Sequence, residues 1–151
     1  MALPKHDEDR KKVEAVIFAF FEAGKNKDLP SLGTFHSSRS FTKFDENPPY
    51  QRQDSNEAFV YEQATFANIS DYAYKIEDLR VDFFGSVAVA TFCLTYRGMV
   101  VNNYSFEGSP VCSKDRVTMV LAKEGEGWRF VHEHFSRIPG WEDGKKGKAE
   151  P

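Results

Sequence analysis

Apolar residues recur at the spacing of one helical face from about Asp7 to Lys25, where Val13, Val16, Ile17, Phe20 and Phe21 fall together. The pattern predicts a long amphipathic helix that stops at Gly24-Lys25-Asn26-Lys27. Asp28 then stands at a cap position, and Pro30 falls in the first turn of a short second helix, Leu29 to His36, where a missing N–H costs nothing. That segment brings Leu32 and Phe35 to the core. Ser40 to Phe44 alternates as a short strand, and Pro48-Pro49 forbids regular structure after it. Asp54 and Glu57 have the spacing of a capping box, in which the cap carboxylate accepts a backbone N–H and the glutamate reaches back. A third helix to about Ala67, burying Phe59 and Phe66, is expected behind it.

The second half changes period. Four strands are predicted, at about 73–83, 87–97, 112–123 and 128–137, rich in Val, Phe, Tyr and Thr. Gly85-Ser86 makes the first tight hairpin and Glu124-Gly125-Glu126-Gly127 the last, while the longer connection, Gly98 to Pro110, is expected to hold irregular pairing or a bulge around Val100-Val101 and Tyr104. Helices first and an antiparallel meander afterwards is the α+β order, with helices gathered on one face of the sheet. There is no βαβ rhythm, no glycine-rich phosphate loop and no internal repeat. The strand Val87 to Leu94 is apolar on both faces, so a covered second face, as a dimer supplies, is expected.

A chain of 151 residues fits one domain, expected over 1–139 with a polar tail over 140–151, and buries a core without disulfides or a structural metal. The net charge of −3 gives no positive field to collect phosphate backbones, so nucleic acid is not an expected partner. The basic clusters, Arg10-Lys11-Lys12 and Lys145-Lys146 with Lys148, sit at the two ends and read as solubility features. The first nine residues are acidic and polar where a secretory signal would be basic and then apolar, and the longest apolar run, Val13 to Phe21, is interrupted by Glu14. A soluble cytoplasmic protein with no membrane contact is expected. Cys93 and Cys112 lie in no C-x-x-C pair and read as reduced, mostly buried thiols. Fourteen Phe, six Tyr and two Trp supply flat surfaces, either for plain core packing or to line a concave sheet.

The last strand, Trp128-Arg-Phe-Val131-His132-Glu-His134-Phe-Ser136-Arg-Ile-Pro139, reads W-x-x-V-H-x-H-x-S-x-x-P after an acidic glycine turn. It resembles SnoaL-like members of the nuclear transport factor 2 superfamily, and is similar to the association domain of calcium/calmodulin-dependent kinase II. The specific match runs from Arg116-Val-Thr118 to Pro139, and the order of elements agrees over 7–139. The resemblance implies a cone-shaped curved antiparallel sheet of the cystatin-like type, packed against three N-terminal helices, and a dimer through the outer face of the sheet. Relatives of this kind include isomerases, cyclases, dehydratases and oligomerising hubs, so the fold alone does not choose a task.

His132 and His134 lie two apart on a strand, so their side chains leave one face together, in phase with Trp128, Phe130 and Ser136. They read as a hydrogen-bonded structural pair, as a proton carrier or ligand donor in a pocket, or as half of a metal site whose third ligand is missing; no metal or cofactor is expected. The other face carries Glu133, Phe135 and Arg137, and a one-residue shift exchanges the two sets. The kinase resemblance places Phe135 toward the cavity, where that family has an arginine. Arg116 begins the apolar strand Val117 to Ala122 and is either a cation for an acidic ligand or a surface partner of Asp115 or Glu107. Tyr61 and Tyr96 offer hydroxyls at a pocket mouth, as an oxyanion donor requires, or simply pack. Asp78, Asp82 and Glu133 are the strand carboxylates that a proton-abstracting site of ketosteroid isomerase type would need.

Two functions follow. One is a pocket protein that binds or converts, as an isomerase, cyclase or dehydratase would, a small, largely apolar molecule with a carbonyl or acidic group. The other is a non-catalytic association module.

Overall fold

In the computed structural model, which describes residues 4–101, 104–105 and 107–141, the helices lie on one side of a five-stranded sheet. Helix α1 spans Pro4–Lys25 and buries Val13, Ile17, Phe20 and Phe21, the stripe expected from their spacing. A 3₁₀ helix, Leu29–Phe35, buries Leu32. Helix α2, Ser55–Asn68, begins at the predicted capping box: the Glu57 N–H donates to the Asp54 carboxylate (2.9 Å), and the Asp54 N–H to Glu57 (3.0 Å). The far end of α2 is held by Lys27, whose ammonium donates to the carbonyls of Phe66 and Ile69. Gly24 is required where α1 crosses α2, because a Cβ there would lie 2.4 Å from the Phe66 ring.

The strands are β1 (Thr42–Phe44), β2 (Ser70–Phe84), β3 (Val87–Val101), β4 (Gly108–Glu124) and β5 (Gly127–Arg137), in the sheet order β1-β5-β4-β3-β2. The last four form the predicted meander. They are longer than the sequence pattern indicated: β3 continues through Gly98 to Val101, paired with the start of β4, where an irregular connection was expected. The sheet is mixed, because β1 pairs with β5 in parallel, Thr42 opposite His132 and Phe44 opposite His134. No hairpin joins these two strands, so no turn imposes the antiparallel direction. The expected tail lies outside the described residues beyond Trp141.

Bulges interrupt the register in β2 between Glu77 and Arg80 and in β5 beside Val120 and Leu121, and such bulges bend and twist the strand that carries them. The second bulge decides which residues face inward. Leu121 pairs with Phe130 and Val120 with His132, which leaves Val131 as the extra residue. Trp128 and Phe130 are buried before it; Glu133 and Phe135 are buried after it. His132 and His134 therefore lie on the outer face, away from Phe130, contrary to the shared face expected from simple alternation. Cys93 and Cys112 alternate with buried neighbours and are half-exposed rather than mostly buried.

Candidate functional site

Inward-facing positions of the sheet, the buried stripes of both helices and the loop after β1 line a partly open cavity of about 50 Å³. That is room for roughly three or four ordered waters. Its apolar walls are Phe20, Phe21, Phe66, Tyr72, Leu94 and Phe135. Its polar lining includes Lys43, Asp45, Glu46, Glu62, Tyr96 and Asp115. Two carboxyl clusters stand out. Asp115 and Met119, the partner of Glu133, are four residues apart on β4, which separates the clusters by roughly 13 Å along the sheet.

The first cluster is neutralised from within. Lys43, on β1, places Nζ 3.1 Å from Glu62 Oε2 and 3.3 Å from Glu133 Oε1, and 4.6 Å from the centre of the Phe135 ring. His36 joins from the end of the 3₁₀ helix, with Nε2 3.0 Å from Glu62 Oε1 and Nδ1 3.0 Å from Ser55 Oγ. Burial works against the Lys43 charge, but Glu62, Glu133 and Asp45 outweigh it and raise its pKa. Burial likewise opposes ionisation of Glu62, yet Lys43 and His36 hold it below the usual range. Glu133 is the carboxyl that gives way: burial and then the Glu62 charge push it up to about 8, against the pull of Lys43. The contact with Lys43 is at ion-pair distance, but neither Glu133 oxygen has a donor in hydrogen-bonding geometry. Ligand atoms of His36, Glu62 and Glu133 lie within 4.8 Å of one another, close enough to hold a cation, and the Lys43 ammonium already takes that part.

The second cluster has no such cation at its centre. Asp115 on β4 is wholly buried. Its Oδ1 accepts from Ser113 (3.3 Å), while its Oδ2 has no hydrogen-bond partner. Glu46, from the loop after β1, is within hydrogen-bonding reach of Asp115, accepts at Oε1 from the Tyr96 hydroxyl (3.0 Å), and lies 3.4 Å from Arg137 Nε through Oε2. That last contact is electrostatic, since Glu46 Oε2 also lacks a donor in hydrogen-bonding geometry. Burial first, then the Glu46 hydrogen bond and charge, push Asp115 up to about 9; Arg137 and Ser113 pull the other way. At neutral pH Asp115 holds its proton, and this one proton serves the pair of carboxyls. Burial and the charges of Glu46 and Asp115 also raise the Tyr96 hydroxyl, which stays a donor. The cluster can accept or deliver a proton inside a largely apolar enclosure.

Of the residues singled out in the sequence, Tyr96 and Phe135 line this cavity, and Glu133 is packed behind Lys43. The structure does not bring the others there. His132 is half-buried on the outer face, with Nδ1 2.9 Å from Thr42 Oγ1, and its pKa is lowered by burial and by His134. His134 and Arg116 are exposed, and Tyr61 on α2 is 39% exposed. Asp78 is exposed and Asp82 pairs with Arg80 (2.9 Å). Lys43, Glu46, Glu62 and Asp115 were not expected. Two of them carried a signal: Asp115 is in phase with Val117, Met119 and Leu121, and Glu62 sits one helical turn from both Ala58 and Phe66. A charged residue in an apolar phase marks a buried charge.

An α+β fold with helices on one face of a curved mixed sheet, closing on an inner cavity, is the architecture of nuclear transport factor 2-like and cystatin-like proteins. Many solved structures share it, among them the following three. A chain assigned as a scytalone dehydratase from Novosphingobium aromaticivorans aligns with TM-score 0.77 at 8% identity, over 88% of this chain and 86% of that one. A nuclear transport factor 2-like superfamily protein from Salmonella enterica aligns with TM-score 0.73 at 20% identity, over 87% and 92%. A ketosteroid isomerase-like protein from Erwinia carotovora aligns with TM-score 0.65 at 18% identity, over 85% and 95%. At these identities the likeness is one of fold. The SnoaL-like domain family matches residues 13–140, and the chain belongs to it. No curated protein matches the chain at a significant level.

Proposed function

We propose that the chain is a small-molecule pocket protein. It holds a small, largely apolar ligand between α1, α2 and the inner face of the sheet, and the Asp115–Glu46 pair with Tyr96 moves a proton on that ligand, as an isomerase, cyclase or dehydratase would. The observation that carries this reading is a wholly buried carboxyl, pushed up to about 9, lining an aromatic cavity. The names of two fold neighbours, an isomerase-like protein and a dehydratase assignment, support the reaction type. His132, His134 and Arg116 have no part in this chemistry, because they stand on the other face of the sheet. A fragment library screened by NMR tests the reading. Binders are expected to shift the signals of Leu94 and Phe135, and Thr65→Phe, which fills the cavity from α2, is expected to abolish those shifts. A library in which no fragment moves these signals would overturn the pocket.

We also propose that the outer face seats a second copy of the chain. Across β3, β4 and β5 it presents three rows, Val89-Val120-His132, Thr91-Thr118-His134 and Cys93-Arg116-Ser136, with a single formal charge, Arg116, when the histidines are neutral. A patch with so few charges, rimmed by Lys114 and Arg97 and by Lys75, Glu77, Arg80 and Asp82 on β2, suits burial against another protein. Sedimentation at micromolar concentration is expected to show a dimer; a monomer would remove this assignment.

A further inference from the structure

We infer that the head group received by Asp115 and Glu46 is a protonated amine, so that the ligand is a small alkyl or aryl ammonium with an apolar body. This rests on the pocket reading above and adds the charge of the ligand to it. The lining of the cavity contains four acids, Asp45, Glu46, Glu62 and Asp115, against one cation, Lys43. The Lys43 charge is already committed to Glu62 and Glu133. The Tyr96 hydroxyl is committed to Glu46. The wholly buried Asp115 keeps an oxygen with no partner, and Glu46 Oε2 has only the off-angle contact with Arg137. One proton serves this pair, which leaves it with more acceptor sites than donors, so a ligand that brings donors and positive charge completes it, and a ligand that brings acceptors meets repulsion.

A carboxylate ligand would enter beside Asp45, Glu46 and Asp115 with no uncommitted cation among the lining residues. A carbonyl ligand would need the Asp115 proton, which Glu46 also draws. An ammonium supplies up to three donors and one positive charge, and the Tyr72 and Tyr96 rings, stacked 5.7 Å apart at 22°, form part of the aromatic wall beside these acids. The carbonyl or acidic group expected from the sequence depended on the histidine pair and Arg116 facing the cavity, and all three stand on the outer face.

The test uses three isosteric probes, n-butylamine, n-butanol and butyrate, titrated into the full chain at pH 8 and followed by the NMR signals of Leu94 and Phe135. Butylamine is expected to bind at least tenfold more tightly than butanol, with butyrate weakest. Asp115→Asn is expected to erase that preference. Should that variant fail to fold, Glu46→Gln carries the same expectation. Butylamine affinity is also expected to rise between pH 7 and pH 9, as the pair surrounded by Ser113, Tyr72, Tyr96 and Arg137 gains its second negative charge; butanol affinity is expected to stay flat. Equal binding of the three probes, or a preference for butyrate, would overturn the amine head and leave the pocket standing. If none of the three moves Leu94 or Phe135, the pocket reading and the amine fall together.

Discussion

Glu133 and Asp115 are both wholly buried carboxyl groups on neighbouring strands, yet an ammonium lies 3.3 Å from one while the other faces a hydroxyl and a second carboxyl. Around Glu133 the charges close on themselves: Lys43 touches both glutamates, His36 takes the rest of Glu62, and Ser55 holds His36. Around Asp115 they do not close. A cluster whose charges are balanced by its own cation serves the fold, and one with no cation at its centre is free to serve a ligand. The difference separates structure from function within one cavity.

Substitution of Lys43 is the strongest way to break this contrast. Lys43→Met strands the Glu62 charge in a buried site, and a loss of about 3–5 kcal/mol in denaturant unfolding is expected. Adding Glu62→Gln to it should restore part of that loss, because the stranded charge is removed with its partner.

Folding raises the pKa of both Asp115 and Glu133, so their contribution to stability is complete below about pH 4 and is lost as pH rises through about 8 for Glu133 and about 9 for Asp115. Unfolding free energy is therefore expected to fall between pH 5 and pH 9. Asp115→Asn, which cannot ionise, should flatten that fall by more than about 1.4 kcal/mol, the equivalent of one pKa unit. A variant with the wild-type slope would show that Asp115 is ionised in the folded protein at pH 5.

Glu133→Gln is a milder probe of the first cluster. Glu133 is largely protonated near neutrality, so an amide replaces it for less than about 1.5 kcal/mol at pH 6, with Lys43 still paired to Glu62. A larger loss would mean that Glu133 carries its charge there. The smallest effects belong to the outer face: His134→Ala and Arg116→Ala are exposed, and each should change stability by no more than about 0.5 kcal/mol and leave probe binding in the cavity unchanged. Loss of binding in either would return the outer face to the site.

Those last two residues also show how far the sequence could be read. The capping box at Asp54 and Glu57 and the Val13-to-Phe21 stripe are local devices, written in neighbouring residues, and both are present as read. The alternation of the last strand is equally local, but its meaning depends on one inserted residue, Val131, and a bulge leaves no mark in a period-two pattern. It exchanged the histidines for Glu133 and Phe135. Lys43 was visible as part of a short alternating strand, but its contacts come from α2 and β5, and its place depends on the parallel pairing of β1 with β5, which no turn announces. Asp115 is legible from its phase with Val117, Met119 and Leu121; as one of two surface partners for Arg116, its neighbour in sequence, it is excluded by their opposite facing.

The account rests on a protonated Asp115 beside Glu46, and a carbon-13 NMR titration of the Asp115 side-chain carboxyl measures that directly. Titration near pH 9, moving to lower pH in Glu46→Gln, is the expected result. A midpoint below pH 5, unmoved by Glu46→Gln, would contradict it and leave the cavity without its proton.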